Sequence, residues 1–124
     1  MRIAVASEGL EVAPRFGQCS SYMCYNVECG VIVDCQNMPN PGMPAQKLAS
    51  LFDEFGVDVL IVNTIEYDVA NVFCRAGIEV IAKAHGTARE VAQAYLTRTL
   101  TGVDDLCHID YELDEEIEPA YSRA

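Results

Sequence analysis

Positive charge is scarce in this 124-residue chain, where eight Lys and Arg stand against nineteen Asp and Glu for a net charge of -11. A phosphate backbone needs a clustered basic face that releases counterions. No such cluster exists, which argues against nucleic acid and acidic membrane surfaces as partners. No apolar run approaches the ~20 residues of a membrane-spanning helix. The four apolar residues between Arg2 and Ser7 are too few for a signal-peptide core. A cytoplasmic protein is expected, and its six cysteines are expected to be thiols rather than disulfides. The chain also lacks a G-x-S-x-G elbow, a Walker loop and a dinucleotide fingerprint. Ile3 to Ser7 carries no carboxylate, which two-metal catalysis on a central strand requires. No enzymatic activity is expected.

What is present is a single well-furnished domain. Half the residues are apolar (51%), enough for one core in a 13.6 kDa chain. Up to Val103 there are eleven acidic and seven basic residues, whereas from Asp104 onward eight acids face only Arg123. The division expected is a domain over 1–103 and an acidic tail over 104–124.

The stretch from Met1 to Cys19 reads as a buried central strand, Arg2 to Ala6, feeding a loop that holds Glu8, Gly9, Pro14, Arg15 and Gly17. Ser21 to Val27 and Val31 to Gln36 form a hairpin across the turn at Glu28, Cys29 and Gly30. Asn37 to Pro44 holds three of the five prolines and is expected to be irregular. Helices are expected over Ala45 to Phe55, after Asn63 to Glu66, and from the capping box of Thr87 and Glu90 to about Leu100. Strands are expected at Val57 to Val62 and Ile78 to Ala82. The order β-β-β-α-β-α-β-α gives an α/β fold with a mixed five-stranded sheet whose second strand is antiparallel. The loops at 7–19, 37–44, 63–66 and 82–86 then share one edge, where α/β sheets bind ligands. Cys107, Ile109, Tyr111 and Leu113 alternate with polar residues as an edge strand would.

The loop P-R-F-G at 14–17, the hairpin, the Pro-rich break, G-V-D-V-L-I-V at 56–62, A-G-I-E-V at 76–80 and H-G-T-A-R-E-V-A-Q-A-Y-L at 85–96 occur in a matching order. On these segments, over about Met1 to Gly102, the chain resembles the dinitrogenase iron-molybdenum cofactor biosynthesis family. The resemblance implies a ribonuclease H-like fold. It also implies a role as a nitrogenase accessory factor that holds or carries an iron-molybdenum cofactor, its precursor or a related metal-sulfur cluster, with cluster donor or acceptor proteins as partners. The chain departs from the family pattern at Arg15, where a histidine is frequent, and at Asn63 to Glu66, where a Gly-rich turn is frequent. Met38 and Met43 stand in place of a His-rich segment.

An anionic cluster is held by soft donors, cations and backbone N–H groups at helix starts. On the shared edge the candidate cofactor-binding residues are Arg15, Phe16, Gly17, Asn63, Thr64, His85, Gly86 and Thr87, and the candidate metal donors are Cys19, Met43 and His85, with Met38 nearby. Cys19, Cys24 and Cys29 are five residues apart, roughly 17 Å on an extended chain, so they cannot share one metal. A two-residue turn would set Cys24 opposite Cys35, and a three-residue turn would not. Cys107 and His108, adjacent on a strand, would point to opposite faces. Two other functions compete with the cluster carrier. One is an interaction or regulatory module that keeps the fold without the cluster, and the other a hydrolase built on Glu8, Glu11 and Glu66.

Overall fold

Alternation along β1 (Arg2–Glu8) sets the layers of the molecule, because successive side chains of a strand point to opposite faces. Ile3 and Val5 enter one core cluster, whereas Ala4 and Ala6 enter the other. The computed structural model describes residues 1–107. The remaining elements in chain order are β2 (Glu11–Val12), β3 (Ser21–Glu28), β4 (Val31–Pro39), α1 (Ala45–Glu54), β5 (Val59–Ile61), α2 (Tyr67–Arg75), β6 (Glu79–Ala82), α3 (Ala88–Leu96) and β7 (Asp104–Asp105).

The sheet runs β4-β3-β1-β5-β6-β7, with β2 paired to β1. β1, β5 and β6 are parallel, β3 is antiparallel to β1, and β4 is antiparallel to β3. β4 therefore runs with β1, and the segments following β1, β4, β5 and β6 all leave one end of the sheet. α1 and α2 pack on the face carrying Ala4, Ala6, Tyr22 and Leu60, and α3 packs on the face of Ile3, Val5, Tyr25 and Ile61. The alanines of β1 leave room on the first face for a cluster of rings: Tyr22 stands edge-on to Phe52 at 5.2 Å, and Phe16 edge-on to Phe73 at 5.5 Å.

Several expectations change. The sheet has seven strands rather than five, because the two-residue strands β2 and β7 add to it. β4 continues through Asn37 and Met38 to Pro39, inside the stretch expected to be irregular. Proline is tolerated there because β4 is an edge strand with one unpaired side. The hairpin turn is the two-residue form, with Cys29 at φ 54° and Gly30 at φ 77°, the left-handed pair of a type I′ turn. A bulge between Asn26 and Val27 then shifts the register, so Cys35 lies opposite Tyr25 and Cys24 opposite Gln36.

α3 stops at Leu96, short of Leu100. Cys74 and Cys107 form a disulfide, contrary to the expectation of six thiols; Cys19, Cys24, Cys29 and Cys35 are free. Asp104 and Asp105 pair with β6, so ordered structure extends past residue 103. Cys107, the first residue of the edge strand expected over 107–113, belongs to no strand, and the rest of that segment, His108 and most of the acidic tail lie outside the described residues.

Candidate functional site

Three of the four loops at the shared end enclose a cleft of about 520 Å³. Arg15, Phe16, Gly17 and Gln18 form one wall. Asn40, Gly42 and Met43 lead into the start of α1 at Ala45 and Leu48. Thr64, Ile65 and Glu66 lead into α2 at Val69, and Tyr22 of β3 closes the cleft from within.

Backbone pairing holds these walls together. The Phe16 amide donates to the Thr64 carbonyl at 2.8 Å, and Arg15 bridges Thr64 in the manner of a parallel strand. This ties the P-R-F-G loop to the end of β5. Gly17 has φ 93°, a conformation open to glycine and strained for other residues. The Asn40 amide donates to the Cys19 carbonyl at 3.0 Å, while its side-chain oxygen accepts from the Gly42 amide at 3.0 Å. Asn40 thereby fastens the turn before α1 to the loop before β3. Nothing in the sequence reading singled it out, although Asn before Pro-Gly is a turn signal.

Two helices begin at this cleft without side-chain caps. The residue before α1 is Pro44 and that before α2 is Glu66, and neither helix receives a side-chain hydrogen bond at its start. The first-turn N–H groups of a helix have no intrahelical acceptor and carry partial positive charge. With the exposed Arg15 they bring positive charge to the cleft's surroundings, against the Glu66 carboxylate in the lining and Asp68 in the first turn of α2.

Tyr22 is the deepest element of the wall. It has 0% exposure, and its hydroxyl is the one buried side-chain oxygen or nitrogen among the described residues that lacks a hydrogen-bond partner. An unsatisfied buried hydroxyl costs about 1–3 kcal/mol. Burial, and secondarily the neighbouring Cys19 thiol, push its phenol far above the usual tyrosine range, so it stays protonated. The thiol adds to that shift but makes no hydrogen bond of acceptable geometry with the hydroxyl.

The fourth loop is committed elsewhere. The Val12 amide donates to the Gly86 carbonyl at 2.9 Å, and the Ala88 amide donates to the Leu10 carbonyl at 2.8 Å. Thr87 bridges Glu11 and accepts the Glu90 amide on its hydroxyl at 3.2 Å. The start of α3 is thus capped and latched to the β1–β2 turn. Asn63 is also spent internally, donating from its amide to the Ala84 carbonyl at 2.9 Å.

Of the candidate cofactor-binding residues, the cleft brings together Arg15, Phe16, Gly17 and Thr64, while Asn63, His85, Gly86 and Thr87 lie outside its lining. Of the candidate donors only Met43 lines it. Cys19 is buried in the core at 4% exposure, its sulfur 3.8 Å from the Asn40 amide nitrogen, and His85 is exposed. Among the described residues no three His, Cys, Asp or Glu side chains gather as a metal site. None of the described helices is long and apolar enough to cross a membrane.

The architecture is that of a small mixed α/β domain with an open cleft at the carboxyl ends of its parallel strands. The chain belongs to the dinitrogenase iron-molybdenum cofactor family, whose sequence profile matches residues 1–98. An uncharacterized protein of Methanocaldococcus jannaschii is 32% identical over 93 residues, 71% of this chain and 78% of that protein. Among solved structures, the crystal structure of PH0822 is similar with a TM-score of 0.73 at 17% identity, covering 90% of this chain and 98% of that one. The apo form of the orange protein from Desulfovibrio gigas is similar with a TM-score of 0.67 at 23% identity, covering 84% and 96%.

Proposed function

We propose that the protein is a noncatalytic cytoplasmic carrier of an iron-molybdenum cofactor, its precursor or a related molybdenum- or iron-containing sulfide cluster, which it receives from and passes to other proteins. The observation that carries this reading is the convergence of Arg15 and two uncapped helix starts on one partly apolar cleft. A sulfide cluster is a bulky anion with a polarizable surface, and such a lining suits it. N–H groups and the guanidinium offset its charge, and Phe16, Leu48, Ile65 and Val69 meet its sulfides. Since the soft donors do not converge, the cluster is held mainly by electrostatics, hydrogen bonds and packing, with Met43 the one sulfur at the rim. Such a mode of holding favours release, as a carrier requires. We read the order of the five long strands as ribonuclease H-like.

Anaerobic reconstitution with ferrous iron and tetrathiomolybdate, followed by desalting and metal analysis, tests the proposal. Wild-type protein is expected to retain metal, Arg15→Glu to lose most of it, and His85→Ala to match wild type. Full retention by Arg15→Glu, or none by wild type, would defeat the reading.

The Glu66 carboxylate in the same lining favours a second reading, an interaction module that has lost the cluster. That reading predicts no metal uptake by wild type under the same conditions.

A further inference from the structure

Native proteins rarely leave a buried polar side chain without a partner, and an exception calls for a physical reason. Here the exception falls in the wall of the proposed binding cleft. Tyr22 is fully buried, its ring is fixed edge-on against Phe52 and tilted against Phe16 at 5.9 Å, and the hydroxyl finds no acceptor. Other buried hydroxyls of the same neighbourhood are satisfied. Ser7 bonds the Ser21 carbonyl and hydroxyl, each at 3.2 Å. Tyr22 is the second residue of β3, opposite Ala6, at the end of the sheet where the cleft opens. A phenylalanine would pack these rings equally well, so packing alone does not account for the hydroxyl.

We propose that the Tyr22 hydroxyl is the deep hydrogen-bond donor of the cleft, given to a sulfido or oxo atom of an anion seated between Arg15 and the starts of α1 and α2. This rests on the carrier reading above and adds to it a positioning residue and a direction of entry. The anion goes in with an acceptor atom leading, and its opposite side remains at the Arg15 and Met43 rim for transfer. Burial keeps the phenol protonated, so it acts as a donor throughout the physiological range. The hydroxyl selects for ligands that present an unprotonated acceptor at their leading end, since only these satisfy it.

Tyr22→Phe removes the oxygen and nothing else. With tetrathiomolybdate as the probe, followed anaerobically by its visible absorption, the variant is expected to bind about tenfold more weakly than wild type, the scale of a hydrogen bond to a charged group. The deficit is expected to stay constant from pH 6 to pH 9. Without ligand, Tyr22→Phe is expected to melt at the same temperature as wild type or higher, because an unsatisfied buried hydroxyl is removed. Equal affinity of wild type and Tyr22→Phe, with Arg15→Glu still impaired, would overturn this inference and leave the carrier reading standing. A melting temperature lowered by several degrees in unliganded Tyr22→Phe would also overturn it, showing the hydroxyl satisfied by water or the Cys19 thiol. Absence of probe binding by wild type would sink both.

Discussion

Tyr25 shows how burial couples single side chains to the stability of the sheet. Burial first, and the Cys35 thiol second, push its phenol up to about 12 from an ordinary value near 10, with Arg89 opposing. A group whose folded pKa is raised binds its proton more tightly in the native state. Stability is therefore undiminished up to about pH 10 and falls as pH rises from about 10 to about 12. Tyr22 and Tyr95 are shifted upward as well, so alkaline unfolding is expected to begin near the intrinsic tyrosine range. Denaturant midpoints across this window check it, and Tyr25→Phe is expected to flatten part of the loss. A midpoint that holds constant up to pH 12 would count against this account. Burial also raises the thiols of Cys24 and Cys35, opposing thiolate formation at neutral pH. That weakens both as metal ligands.

Among the elements, the loop between β6 and α3 shows why strand directions alone do not tell which loops line one cleft. Parallel strands deliver four loops to one end, and that much followed from counting strand directions. Which loops then line a common cleft depends on backbone hydrogen bonds: Phe16 to Thr64 on one side, Val12 to Gly86 and Leu10 to Ala88 on the other. No side-chain pattern encodes those, so His85 and Thr87 looked equivalent to Arg15 and Thr64. The Thr87 cap was legible because Thr followed by Glu three residues on is a local signal. The bulge that separates Cys24 from Cys35 was not, since the V-I-V-D segment holds no glycine to mark it. The extension of β4 to Pro39 was masked for a similar reason, as an edge position excuses a proline that a central strand would reject.

Thr87→Ala is expected to cost about 1 kcal/mol through loss of the cap. It should leave cargo binding unchanged, because α3 packs on the face of the sheet opposite α1 and α2. Urea denaturation and the tetrathiomolybdate titration measure the two quantities. A variant that keeps full stability but loses binding would reverse the roles assigned to the two groups of loops.

At the scale of the molecule, a three-layer body presents a lined cleft at one end of its sheet. The body was legible in the sequence because strong periodic signals fixed its long elements: the apolar strands at 3–6 and 59–61, the helical spacing of Leu48, Leu51 and Phe52, and Gly56 and Gly77, which stop α1 and α2. The cleft was legible only as a location. Its deepest residue, Tyr22, reads in the sequence as one more aromatic on a strand, and its unsatisfied hydroxyl emerges only once the rings around it are packed. The Cys74–Cys107 disulfide was hidden in the same way, since pairing across 33 residues depends on where α2 and the end of β7 meet.

The central claim is that this cleft carries an anionic metal-sulfide cargo. It is tested most directly by the visible absorption and the molybdenum and iron content of protein purified without oxygen from the organism that makes it. The account predicts coloured protein holding metal close to one cluster per chain, with the colour lost in Arg15→Glu. Colourless, metal-free wild-type protein, or an Arg15→Glu variant that keeps its full complement, would contradict it.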